Sequence, residues 1–269
     1  MPQRPLTDDR APARPTAGSP FEPTTDPAFP DSSDRWNGAS PPLPVAYQLW
    51  MFRLTFLLLS VLMLVGNVIH LAVVRSEGTP DPVFAKPAWN GDGDGSHIEM
   101  LGHIQLVAAA VILVFLCIGR RVMVYGAWAA IVIALVIDDL FQVHERVGAD
   151  LVTTFDLPAL IGLRAQDLGE LLTWAGLAGI LGVLLLVAHL RAPLPDRRNS
   201  LLLAVLTVFL AVFAVGVDQA HVIIQPHVPL WIDTALTLTE TAGELLGMTL
   251  ILIAVHTMAV RPRGRTTHG

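Results

Sequence analysis

Four histidines and eight carboxylates recur at helical spacing within otherwise apolar stretches of this 269-residue chain. Asn67 and His70 are three residues apart, and Glu99 and His103 four. Asp138, Gln142 and Glu145 would share one face of a continuous helix, as would Asp167 and Glu170. Asp218 and His221 are three apart, and Glu240 and Glu244 four. Residues three or four apart stand one above the other on a helix. A neutral imidazole beside carboxylates suits iron, manganese or zinc, and the same groups can relay protons. The single cysteine, Cys117, excludes a thiolate cage and an intrachain disulfide.

These residues need elements that hold them at one depth. The composition is 53% hydrophobic and only 15% charged, with a mean hydropathy of +0.57. A soluble domain carries about 25% charged residues. About 20 apolar residues cross a bilayer core as a helix. Six segments meet that length: about 47–74, 98–118, 122–146, 158–190, 200–224 and 230–260. The predicted fold is all-α, a polytopic integral membrane protein with six transmembrane helices in a bundle and the lipid bilayer as its partner. A net charge of −6 argues against nucleic acid.

Arg120 and Arg121, then Arg191, Arg197 and Arg198, then Arg261, Arg263 and Arg265 mark one set of loops. The opposite set holds Glu77, Asp81, Asp92, Asp94, Asp150 and Asp156 among few cations. Basic loops face the cytoplasm. The chain is therefore expected in the cytoplasmic membrane with both termini inside. Residues 1–45 hold eleven of the twenty prolines and no apolar run, and are expected as a disordered cytoplasmic tail. Residues 46–260 form the membrane domain, and 261–269 a basic cytoplasmic tail.

Counting inward from these arginines places the polar groups in one layer. Asp138 is 17 residues after Arg121, Asp218 is 20 after Arg198, and Glu244 is 17 before Arg261. Glu170 is 21 before Arg191, His103 is 17 before Arg120, and His70 is 17 after Arg53. At ~1.5 Å per residue all lie about 25–32 Å from the arginine edge. A solvated helix end explains any one acid. Shared depth and paired spacing favour a polar chamber, and intramembrane carboxylates ordinarily face the interior. Eight acids among few cations need protonation, water or a metal ion.

The metal ligands are drawn from Asp138, His144, Glu145, Asp218, His221, Glu240 and Glu244. Glu99, His103 and Glu170 are the candidate general acids or bases, with Asp167 beside them. His189 and His256 read as interfacial polar residues near the arginine edge. The loop residues Asn90, Asp92, Asp94 and Gly95 match the first half of an EF-hand loop. Leu101 occupies the position of its bidentate glutamate, so only a weak calcium site is expected there.

The segments "DDLFQVHE" (138–145) and "ETAGELLGM" (240–248) resemble a pattern in uncharacterised bacterial multi-pass membrane proteins. In that pattern an acidic pair and His-Glu end one span, and a glutamate-rich segment opens the last. The resemblance groups these residues and implies no activity. The residues themselves point to a metal-dependent enzyme on a lipid or lipophilic substrate. A proton- or cation-coupled transporter using the acids as a relay, and a haem-binding electron carrier, are the alternatives.

Overall fold

The computed structural model describes residues 45–75, 83–160 and 162–260. The tails and the loop acids Glu77 and Asp81 lie outside them. Helices run over Val45–Arg75 (α1), His97–Arg120 (α2), Met123–Leu140 (α3), Val143–Phe155 (α4), Ala165–Arg191 (α5), Leu194–Ala211 (α6), Asp218–Ile224 (α7) and Leu230–Val260 (α8). A π-helical segment, Val212–Val217, joins α6 to α7 without a break. Six helical stretches are long and apolar enough to cross a membrane. Among the described residues the only β pairing is the bridge between Leu160 and Leu163.

The element ends follow from local chemistry. The Ser96 hydroxyl caps α2 by accepting from Glu99 N–H at 3.2 Å, and Glu99 reaches back to Gly95 N–H at 2.5 Å. This reciprocal arrangement resembles a capping box shifted back by one residue. Arg121 closes α2 in the left-handed region at φ 55°. Asp167 accepts from Arg164 N–H at 2.8 Å and from its guanidinium at 2.6 Å, which fixes the start of α5.

The expected third span, 122–146, is corrected. Helix α3 stops at Leu140, Gln142 turns left-handed at φ 48°, and α4 starts afresh at Val143. Asp138, Gln142 and Glu145 therefore do not share a helix face. Helix α4 is too short to span a membrane and returns along α5. Gly148 and Gly169 allow that approach, since a Cβ on Gly169 would meet the Gly148 carbonyl oxygen at 2.4 Å. The fourth span consequently begins at Ala165 rather than near 158.

The apolar core joins α2, α3, α6 and α8 toward the end that carries Arg120. Leu113, Val124, Tyr125, Leu203, Leu252 and Val255 are almost fully buried in it. At that end Tyr125 donates to Asp196 at 2.7 Å and accepts from Arg120 and Asn199. Nearer the middle, Ser60, Gln105 and Thr249 form a buried hydrogen-bonded triangle across α1, α2 and α8. Such bonds contribute about 0.6 kcal/mol each between membrane helices. Large apolar side chains face outward on the long helices, including Phe115, Ile118, Ile180 and Val183. A lipid-facing helix surface has that character.

Candidate functional site

The acidic ends of the helices enclose two cavities rather than one chamber. The first, about 140 Å³, is lined by Asp92, Asp94, Glu99, Asp139, Glu240 and Glu244, with Thr241, Leu245 and Met248. Three features place these residues together. The 83–96 segment folds over the mouth because Asn67 accepts from Gly91 N–H at 3.1 Å and His70 Nδ1 contacts the Phe84 carbonyl at 2.6 Å. Helix α2 presents Glu99 and His103 one turn apart. The last turn of α3 supplies Asp139, and α8 supplies Glu240 and Glu244.

On one wall, His103 Nε2 lies 2.6 Å from Asp139 Oδ2, and its Nδ1 lies 3.8 Å from Glu99 Oε1. Ligand atoms of Glu99, His103 and Asp139 all fall within 4.8 Å of one another. His103 is only 4% exposed, and its Nδ1 is buried with no hydrogen-bond partner. When Nε2–H donates to Asp139, Nδ1 carries a lone pair aimed at the Glu99 side. A carboxylate holding the far nitrogen is the usual support of a metal-ligating histidine. Two bonds of about 2.1 Å can bridge the gap between Nδ1 and Glu99.

Behind Glu240, His221 Nε2 lies 2.9 Å from Asp233 and its Nδ1 lies 3.5 Å from Glu240. Gln225 also donates to Asp233, at 3.1 Å. Burial raises the Asp92 carboxyl above its ordinary range. The His221 charge opposes that shift, while Asp218 and Asp233 reinforce it. Glu244 has no hydrogen-bonding or ion-pair partner among the described residues.

The second cavity is open and lies between α4, α5 and α7. His144, Glu145, Arg146, Arg164, Glu170 and Asp218 line it. Here the α3–α4 break has a chemical consequence. It brings His144 Nδ1 to 2.8 Å from the buried Asp138, with Trp174 packed on the imidazole at 5.4 Å. The hydrogen bond to Asp138 raises the His144 pKa against the effect of burial. Burial also raises the Glu145 carboxyl; His144 opposes the shift, and Asp94 and Glu170 add to it.

The residues expected to share one site are thus divided. Glu240 and Glu244 line the first cavity, and His221 packs behind Glu240. His144, Glu145 and Asp218 line the second, while Asp138 is buried between α3 and α4. Of the candidate acid–base groups, Glu99 lines the first cavity, His103 packs behind its Asp139, and Glu170 lines the second, where it accepts from Gln166 at 2.8 Å. Asp92 and Asp94 of the calcium-like loop line the first cavity, whereas Asn90 does not. Asp94 accepts from Gln142 at 2.7 Å. His189 contacts Ser200 at 3.1 Å, and His256 stacks on Phe52 at 3.7 Å. Asp139 and Asp233 were not among the expected site residues. The adjacent pair Asp138–Asp139 carried the signal, because neighbouring helical residues point about 100° apart and so face different surroundings.

The fold and site define an all-α protein with six helices suited to crossing a membrane and a carboxylate–histidine group at one end. The chain belongs to the family described as Domain of unknown function (DUF8692), whose model matches residues 51–259. No curated protein and no solved structure matches it.

Proposed function

We propose that this is an integral membrane metalloprotein, with both termini cytoplasmic and its metal centre near the extracytoplasmic face. Glu99 and His103 Nδ1 bind one divalent iron, manganese or zinc ion, Asp139 holds the histidine through Nε2, and the protein acts on a lipophilic substrate. The supporting observation is the buried, unpartnered Nδ1 of His103, facing Glu99 while Asp139 holds the other nitrogen. A buried polar atom without a partner costs about 1–3 kcal/mol. A cation would remove that cost and offset part of the surrounding negative charge. Bound there, it would polarise a substrate carbonyl or lower the pKa of water. Glu244 lines the same cavity with no hydrogen-bonding partner among the described residues.

Elemental analysis tests this reading. Protein purified into nanodiscs without chelator, then supplied with each metal in turn, is expected to retain about one equivalent of one of them. His103→Ala should lose it, while His189→Ala, which removes only a contact with Ser200 near the arginine edge, should keep it. A wild type that holds no stoichiometric metal overturns the proposal. It would promote the relay, for which His221 between Asp233 and Glu240 is the supporting feature.

A further inference from the structure

Behind the acidic cavity lies a second compartment of opposite character. It measures about 120 Å³, and its lining includes Leu106, Leu135, Trp174, Leu210 and Val215. Asp139, Glu244 and Met248 line both compartments, so the two meet at a pair of carboxylates. His103, held by Asp139 at 2.6 Å, lines the apolar one.

The backbone is adapted to make this space. The π-helical segment Val212–Val217 supplies Ala214 and Val215 to the wall. Such segments interrupt the regular helix and recur at functional sites. Phe213 packs directly on Gly243, where a Cβ would come within 2.1 Å of its ring. That contact seats the π segment against α8 while leaving the adjoining pocket open.

Size and charge together narrow the occupant. A water needs two to four polar partners, and away from Asp139 and Glu244 the lining is mostly apolar. A dry cavity of about 150 Å³ accepts benzene. At the mouth, Asp139 and Glu244 belong to a set of six carboxylates lining the acidic compartment. A single divalent ion leaves that set acidic, so an anionic head is repelled and a cationic one attracted.

We propose that the two compartments form one site for an amine-bearing amphiphile. Its ammonium group lies between Asp139 and Glu244, and its benzene-sized apolar group fills the pocket beside Trp174. This names a substrate class for the metal site proposed above and rests on that reading for any chemistry. Recognition of the amine itself requires only the two carboxylates and the pocket.

The test is fluorine NMR titration of 4-fluorobenzylamine into the full chain in nanodiscs, with empty nanodiscs as the partitioning control. Saturable binding is expected, at least tenfold tighter than that of methylamine competing for the same site. 4-Fluorobenzoate, with the same ring and the opposite charge, should not bind saturably. Ala214→Phe fills the pocket and should weaken the fluorinated amine at least tenfold, leaving methylamine unaffected. Should that variant fail to fold, Ala211→Leu makes the same comparison. Equal binding of benzoate and amine, or no effect of filling the pocket, overturns the proposal. Metal retention without saturable amine binding rejects this inference alone. Amine binding by a protein that holds no metal rejects the metal reading alone.

Discussion

His144 and Asp138 are joined across a break in the helix, with Nδ1 2.8 Å from a carboxylate oxygen that a continuous helix would have carried away from it. Asp138 is 3% exposed, and its other oxygen has no hydrogen-bond partner. The pair closes the corner where the chain leaves α3 and turns back as α4. It also aims the imidazole into the open cavity shared with Glu170.

A pH dependence follows, with its sign fixed by the direction of the shift. Asp138 raises the His144 pKa, and Glu170 and Glu145 add to that effect against burial. A histidine raised on folding contributes stability that is fully present below its unfolded value of about 6.5. The contribution fades as the pH rises through the folded value. Apparent Tm should therefore fall from about pH 6.5 upward, and His144→Gln should flatten that part of the profile. Thermal melts of both proteins across the range provide the measurement. Parallel profiles would remove the pair from any stabilising role.

The Asp92 carboxyl is held above its usual range by burial, with Asp218 and Asp233 adding repulsion and His221 opposing it. A carboxyl raised on folding destabilises the fold wherever it is ionised. Asp92→Asn should then raise the apparent Tm of metal-free protein at pH 7. The gain should vanish near pH 4, about the unperturbed aspartate value. A lower Tm at pH 7 would show that Asp92 is paired with a cation.

Close contact between α4 and α5 depends on two glycines. A Cβ on Gly169 would lie 2.4 Å from Gly148 O, whereas one on Gly176 of the same helix meets nothing within 4 Å. Overpacking of this kind costs about 1–3 kcal/mol. Gly169→Ala is expected to lower the melting temperature and loosen α4, seen as faster backbone hydrogen exchange over 143–155. Gly176→Ala should leave both unchanged. Equal behaviour of the two variants would contradict the packing.

Six long apolar helices were legible in the sequence because hydropathy over about 20 residues is a strong signal. The rise per residue also brings Glu99, Glu240 and Glu244 to one cavity. The break at Gln142 was not legible, since neither glycine nor proline marks it and nothing in "DDLFQVHE" forbids a helix. Missing it placed Asp138, rather than Asp139, on the cavity wall. Depth also says nothing about direction, so groups at one level were expected in one chamber and are divided between two cavities. The apolar pocket left no sequence trace, because it depends on the π-helical segment and on how Phe213 meets Gly243.

Orientation is testable at positions chosen for their exposure. Ser96, although in a loop, is 1% exposed because its side chain caps α2, and is unsuited to labelling. Thr154 on α4 and Arg198 on α6 are exposed at opposite ends. In a Cys117→Ala background, Thr154→Cys should react with an impermeant thiol reagent on intact cells, and Arg198→Cys only after lysis. The reverse pattern would place the acidic cavities in the cytoplasm.

Asp138 and Asp139 are adjacent in the chain yet separable by experiment. Asp139 contacts His103 at 2.6 Å and its side chain is 48% exposed to the cavity. Asp138 contacts His144 and is buried. Asp139→Asn removes the negative charge that holds His103 Nε2 and so keeps Nδ1 turned toward Glu99. It should lower metal content at least tenfold, a loss of the size seen when partners of metal-ligating histidines are removed. The stability of the metal-free protein should change little, because an exposed carboxylate loses little on neutralisation. Asp138→Asn should do the opposite, keeping the metal and lowering the apparent Tm in metal-free and metal-loaded protein alike. Elemental analysis and thermal melts of both variants decide the assignment. Metal loss in Asp138→Asn with retention in Asp139→Asn would move the metal centre to His144 and overturn the division between the two cavities.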